Sequence, residues 1–253
     1  MRNRAHCRRV AFFAAALWLV LSIPALAATL YQVGAIASLA AGDYEGRETF
    51  AGLARHGDFG LGTFENLDGE MVAVDGGFYQ VRSDGAVRPV APGRKTPFAQ
   101  VAFFRGALDC GRLDGLDLKA ITAALTKRLP DPARLYVVRA DGLFEAVTTR
   151  SVPAQAKPWP PLATAIKAQA SFPMENVQGT LVGVYTPPGM RALSPTGWHF
   201  HFLTADRRHG GHVLAARATA VKARGDRIDA MTVLFPEHPA PCPDAPRPEA
   251  GAE

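Results

Sequence analysis

Gly197-Trp198-His199-Phe200-His201-Phe202-Leu203-Thr204, then Ala205-Asp206-Arg207-Arg208-His209, then Gly210-Gly211-His212-Val213-Leu214: in this stretch the side-chain pattern sets both the fold and the chemistry. Side chains alternate between faces of an extended strand, so His199 and His201 share one face while Trp198, Phe200 and Phe202 share the other. The polar run from Thr204 to Gly211, with Asp206 near its start and Gly210-Gly211 at its end, reads as a hairpin turn. The returning strand brings His212 beside His199 and His201. Three imidazoles on paired strands supply three nitrogen ligands and leave a coordination position open, the arrangement of a catalytic zinc; a structural zinc would want a fourth protein ligand, often a cysteine. A single strand histidine is ordinarily packed or solvated. Three on one patch need a shared partner, because buried polar groups are costly without one. His209, in the turn beside Arg207 and Arg208, is expected to be exposed and idle.

The 253 residues are ample for a real core, in one large domain or two small ones. The formal charge of +5 is local: Arg2, Arg4, Arg8 and Arg9 fall in the first 27 residues, where there is no acidic residue. Without them 24 basic residues face 23 acidic ones. A nucleic-acid partner therefore loses its main support.

The basic start, the apolar run from Val10 to Leu21, the break at Ser22 and Pro24, and Ala25-Leu26-Ala27 together read as a secretory signal peptide cleaved after Ala27. The run is short for a membrane span. The expected location is secreted or periplasmic, with no membrane partner after cleavage. Cys7 would leave with the signal, and Cys110 and Cys242 would remain, either bridged in an oxidising compartment or as separate thiols.

The expected class is α+β, with two sheet-dominated halves of mixed or antiparallel strands and a few helices. Residues 28–151 form the expected N-terminal half, 152–235 a β-rich half carrying the metal site, and 236–253, rich in Pro, Ala and Glu, a poorly ordered tail. Residues 31–41 read as a strand and a bend, and Gly46 to His56 as a helix stopped at Gly57. A glycine-rich β-meander follows, with turns at Leu67-Asp68-Gly69-Glu70, Asp75-Gly76-Gly77 and Ser83-Asp84-Gly85. Phe98 to Phe104 reads as a buried strand, and Leu118 to Leu129 as the clearest amphipathic helix, ending before Pro130. Leu135–Ala140 and Leu143–Thr149, separated by Asp141-Gly142, read as a hairpin. The four prolines of residues 152–161 mark an irregular crossing between halves. Leu162 to Ala170 reads as a short helix and Gln178 to Tyr185 as a strand. His212–Ala223 and Ile228–Phe235 read as two strands joined by a glycine-containing turn.

A metal with an open position needs neighbours that handle charge and protons. Glu70, beside a turn between hydrophobic strands, can be a partly desolvated acid with a raised pKa or simply a solvated turn residue. Arg150 ends a largely apolar strand, where a planar guanidinium can hold a carboxylate or merely face water. Glu45, Glu65 and Asp206 are rivals, and the local sequence does not choose among them.

The chain resembles the acetolactate decarboxylases, zinc enzymes. The resemblance runs from about Tyr31 to Leu214 through HGDFGLGTFENLDGEMVAVDGGFYQV (56–81), TPFAQVAFF (96–104), RSVPAQAKPWPPL (150–162), GTLVGVYTP (179–187) and GWHFHFLTADRRHGGHVL (197–214), in similar order and spacing. It implies His199, His201 and His212 as zinc ligands, Glu70 and Arg150 as polar active-site residues and Thr63 as a pocket threonine. It implies the decarboxylation of (S)-2-acetolactate to (R)-acetoin and carbon dioxide, in acetoin and butanediol biosynthesis, and a homodimer. The family also brings a C-terminal glutamate to its site. Glu237, Glu249 and Glu253 lack a matching context here, so that role is left unassigned. Two other readings use the same three histidines: a cupin-like metal enzyme acting on another small oxo-acid, and a non-catalytic metal-binding module.

Overall fold

The computed structural model describes residues 28–235. Residues 1–27, expected to be a signal peptide, and residues 236–253, with Cys242 and the three glutamates, lie outside the described residues. From the N-terminal side the elements are β1 (Thr29–Val33), α1 (Ile36–Ala40), β2 (Glu48–Thr49), α2 (Phe50–Leu53) and β3 (Phe59–Thr63). They continue with β4 (Glu70–Val74), β5 (Gly77–Val81), β6 (Val87–Pro89), β7 (Lys95–Thr96), β8 (Ala99–Ala102), β9 (Leu108–Arg112) and α3 (Leu118–Lys127). The long strand β10 (Leu135–Ser151) is followed by α4 (Leu162–Ala165), β11 (Ala170–Thr186), β12 (Gly197–Thr204), β13 (Gly210–Ile228) and β14 (Ala230–Leu234). No helix among the described residues is long and apolar enough to cross a membrane.

Two sheets carry this α+β architecture. The first has the order β14-β1-β8-β3-β4-β5-β6; the second runs β10-β11-β12-β13-β9, and β10 also pairs with β13. β10, β11, β12 and β13 thus form a hydrogen-bonded circuit, a small barrel. Its interior is filled by Val138, Phe144, Leu181, Phe202 and Val221, and by Ile121 and Leu125 of α3. A second apolar layer lies between the sheets, where Leu61, Val72 and Val74 meet Val137, Val182 and Leu203. Burial of these two layers is the main driving force for the fold.

The division expected after residue 151 does not follow the sheets. β10 precedes the proline-rich crossing, yet it bonds along its length to β11 and β13, which follow it. β14 returns to the first sheet and lies parallel to β1. Two expected turns are also absent. Asp141-Gly142 sits inside β10, and Gly142 pairs with both Gly179 and Val221. A Cβ at Gly142 would stand 2.0 Å from the Ala220 carbonyl oxygen, so glycine here permits close packing of strands. Gly225 likewise lies within β13, opposite Val138. Of the helix expected over 46–56, only Phe50–Leu53 and the turn after it are helical, because Glu48-Thr49 pairs with Lys95-Thr96. Thr49 caps this short helix by accepting from the Gly52 N–H at 3.0 Å.

Replacing Gly142 by valine distinguishes the continuous strand from a hairpin turn. We expect a loss of about 2–4 kcal/mol in urea unfolding from the enforced clash. Unchanged stability would mean that the backbone there is not pinned between two strands.

Candidate metal centre

Alternation and pairing act together at the rim of the barrel. On β12, Phe202 and Phe200 point into the barrel, while Leu203, and with it His201 and His199, points towards the first sheet. His201 lies directly opposite His212 of β13. The first sheet supplies the facing groups from β4, where Val72 and Val74 enter the inter-sheet layer and Glu70 shares their face. Arg150 reaches the same place because β10 is bulged. Phe144 and Val147 both fill the barrel, an odd spacing made possible by the unpaired Glu145, and the shifted alternation turns Arg150 outward.

The local geometry is tight. His199 Nε2 lies 3.1 Å from His212 Nδ1. The Nδ1–H of His201 donates to the Met71 carbonyl oxygen at 2.7 Å, which leaves its Nε2 as a bare acceptor. That Nε2 and the Nδ1 of His199 are buried without a hydrogen-bond partner. Arg150 donates from Nη1 to Glu70 Oε1 at 2.7 Å, and Glu70 Oε2 lies 3.5 Å from His201 Nε2. Two acceptors facing each other in a buried site need a proton or a cation between them.

The three histidines can hold a metal ion: one ligand atom from each lies within 4.8 Å of the others. Two nitrogens bonded tetrahedrally to one zinc at its usual bond length stand about 3.3 Å apart, close to the observed separation of His199 and His212. Burial, with the neighbouring histidines and Arg150, holds the imidazoles neutral. His199 is lowered to about 4, chiefly by desolvation and then by Arg150, and His201 and His212 are also pushed down, chiefly by desolvation. Neutral imidazole is the ligand form. Desolvation raises Glu70 to about 7, against the opposing pull of Arg150.

These groups line a cavity of about 310 Å³, near the lower end of the usual size of a small-molecule site. Its other walls are largely apolar, including Ile36, Leu39, Leu67, Phe98, Leu162 and Trp198. The loop between β3 and β4 is held in an unusual shape, with Asn66 at φ 62° and Leu67 at φ 58°. Tyr44 and Gln155 bind the Asn66 backbone, and the Gly69 N–H donates to the Val152 carbonyl. This loop places Leu67 in the cavity and starts β4 at Glu70. Thr63 also lines the cavity, and its hydroxyl donates to the Gly69 carbonyl at 2.7 Å.

A family model described as alpha-acetolactate decarboxylase matches residues 30–240. The chain is 42% identical over 213 residues to the alpha-acetolactate decarboxylase of Methanosarcina mazei, a match covering 83% of this chain and 72% of that one. It is 39% identical over 185 residues to that of Bacillus subtilis, covering 73% and 72%. The crystal structure of alpha-acetolactate decarboxylase from Bacillus subtilis strain 168 superposes with a TM-score of 0.80 at 35% identity, covering 83% of this chain and 90% of that chain. The chain belongs to the alpha-acetolactate decarboxylase family, a family of carboxy-lyases.

In this family member the six residues singled out from sequence, Thr63, Glu70, Arg150, His199, His201 and His212, all line one cavity. The rival acids do not. Glu45 is exposed, Glu65 accepts from the Gly46 N–H, and Asp206 accepts from Thr204 in the hairpin turn. His209 is exposed in that turn. Sequence reasoning missed the Met71 carbonyl that orients His201 and the cavity walls supplied by α1, α3 and α4. Backbone acceptors carry no residue-type signal, and those helices reach the site only through tertiary packing.

The pKa directions give a test on metal-free protein. Depressed histidines bind protons more readily when unfolded, so their contribution raises stability as pH climbs to about 6.5. Glu70, raised from 4.5 to about 7, acts oppositely and lowers stability across that interval. Thermal melts of Glu70→Gln should therefore rise more steeply with pH than those of the parent. Equal slopes would mean that Glu70 is not desolvated in solution. As a control, His209→Ala should leave metal content unchanged.

Proposed function

We propose that the protein decarboxylates 2-acetolactate to acetoin and carbon dioxide, with zinc held by His199, His201 and His212. The observation that supports this most directly is the Glu70–Arg150 pair, largely shielded from solvent and lining one mostly apolar cavity with three convergent neutral imidazoles. When bound, zinc supplies a Lewis acid for the ketone and hydroxyl oxygens of the substrate.

The remaining work falls to the chain. Glu70 occupies only Nη1 of Arg150, so the guanidinium fork can take a second carboxylate, that of the substrate, and orient it. Too strong a pairing would stabilise the ground state, so the value of Arg150 lies in positioning. The bond from the carboxylate carbon to the hydroxyl-bearing carbon breaks and carbon dioxide departs. The electron pair moves into an enediolate, and one proton added at carbon gives acetoin. Glu70, with its pKa raised to about 7, is suited to hold and deliver that proton near neutral pH. The apolar walls limit competing water. Residues 1–27, read as a cleaved signal, would place this reaction outside the cytoplasm.

Protein lacking residues 1–27 should form acetoin from racemic acetolactate, lose that activity to a chelator and regain it with zinc. Glu70→Gln should reduce kcat by roughly 10²–10⁴-fold, and Arg150→Ala should abolish turnover, with bound zinc retained in both. Full turnover by Glu70→Gln would remove it from the chemistry. If both variants kept a metal-linked function, a binding module would be the better reading.

A further inference from the structure

The barrel is incompletely zipped at its rim. β12 and β13 pair only at His201–His212, Phe202–Gly211 and Leu203–Gly210. Beyond the histidines β12 continues along β11, and β13 along β10, so the two strands part. Trp198, Phe200 and Val213 flank this split and line the cavity.

α3 contributes to the wall of the same cavity. It is capped by Asp117, whose Oδ1 accepts from the Ala120 N–H at 2.8 Å, and it is anchored in the barrel by the buried Ile121 and Leu125. A neighbouring stripe at four-residue spacing, Leu118, Thr122 and Thr126, faces the site. Leu118 and Thr122 line the cavity, and Thr126 accepts from the Trp198 indole N–H at 2.9 Å. The Thr122 hydroxyl donates to the Lys119 carbonyl within the helix at 2.7 Å. Its hydrogen is therefore already used, and this wall offers a ligand mainly hydrocarbon.

We propose that Leu118 and Thr122 of α3 set the size of the alkyl group accepted on the carboxylate-bearing carbon of a 2-alkyl-2-hydroxy-3-oxo acid. The inference rests on the decarboxylase reading above. With the carboxylate at Arg150 and two oxygens directed to the histidine cluster, the groups left to be housed are alkyl. Val213, paired with Thr149 and packed in the barrel cluster, lines the cavity together with Leu118 and Thr122. Arg150 lines the same cavity as Leu118 and Thr122, so an alkyl group on the carbon that bears the carboxylate can meet α3. Another part of the wall has less freedom: Leu39, Leu67 and Phe98 are buried in a separate cluster with Tyr44, Val152 and Ala165. α3 instead meets the site through two side chains that are only partly buried.

The test compares kcat/KM for acetolactate and for its 2-ethyl homologue, using zinc-loaded protein. Leu118→Ala should raise the ethyl-to-methyl ratio about tenfold or more, because one methylene in an apolar pocket is worth at least about that factor. Leu118→Phe and Thr122→Leu should lower it. Ala123→Leu, on the exposed side of the same helix, should leave it unchanged. Should Leu118→Ala fail to fold, Thr122→Leu reads the same wall. Ratios within about twofold of the parent in the Leu118 and Thr122 variants, with acetoin still formed, would overturn the proposal. An equal shift from Ala123→Leu would also do so, by showing that helix displacement and not wall contact is responsible. A parent protein that converts neither substrate would instead refute the decarboxylase reading, and this inference with it.

Discussion

His201 and His212 face each other as the last paired residues of β12 and β13, and much of the site's arrangement follows from that contact. Below it lies the inter-sheet layer of Leu203, Val182 and Val72; above it the strands separate and a cavity opens. The boundary between dry core and binding site is thus one residue pair wide. Imidazoles there are desolvated enough to stay neutral, and they remain accessible through the cavity. A metal bound at this point would satisfy nitrogens that otherwise carry an energetic penalty.

The second requirement is registration between sheets that share few backbone hydrogen bonds. Glu70 and Met71 belong to the first sheet; Arg150 and the three histidines belong to the barrel. Two polar contacts tie them, Arg150 to Glu70 and His201 to the Met71 carbonyl. Close packing of the inter-sheet layer fixes the spacing, because buried side chains leave little room for the sheets to slide. Farther out, Arg139 of β10 pairs with Asp75 in the β4–β5 turn, and Arg207 of the hairpin turn also reaches Asp75. These partly exposed pairs add little stability, yet they join the same elements that carry Glu70 and the histidines.

The histidine hairpin was legible in sequence because its information is local: period-two alternation, a polar turn and glycines at its end. The amphipathic stripe of α3 was legible for the same reason, and its core residues Ile121 and Leu125 are buried. Asp141-Gly142 and Gly225 were misread because glycine signals both turns and close strand approach, and only the long-range pairing of β10 with β11 and β13 decides between them. The direction of Arg150 depends on a bulge at Glu145 that no local pattern announces. The choice of Glu70 over Glu45 and Glu65 depends on which carboxylate the second sheet covers, which local sequence does not encode and family resemblance implies.

Whether one metal is held by three imidazoles from this hairpin can be read by X-ray absorption at the zinc edge on the loaded protein. Three imidazole nitrogens at about 2.0–2.1 Å are expected, with the remaining coordination from oxygen. A sulfur shell at about 2.3 Å, or a site with fewer than three imidazoles, would contradict it.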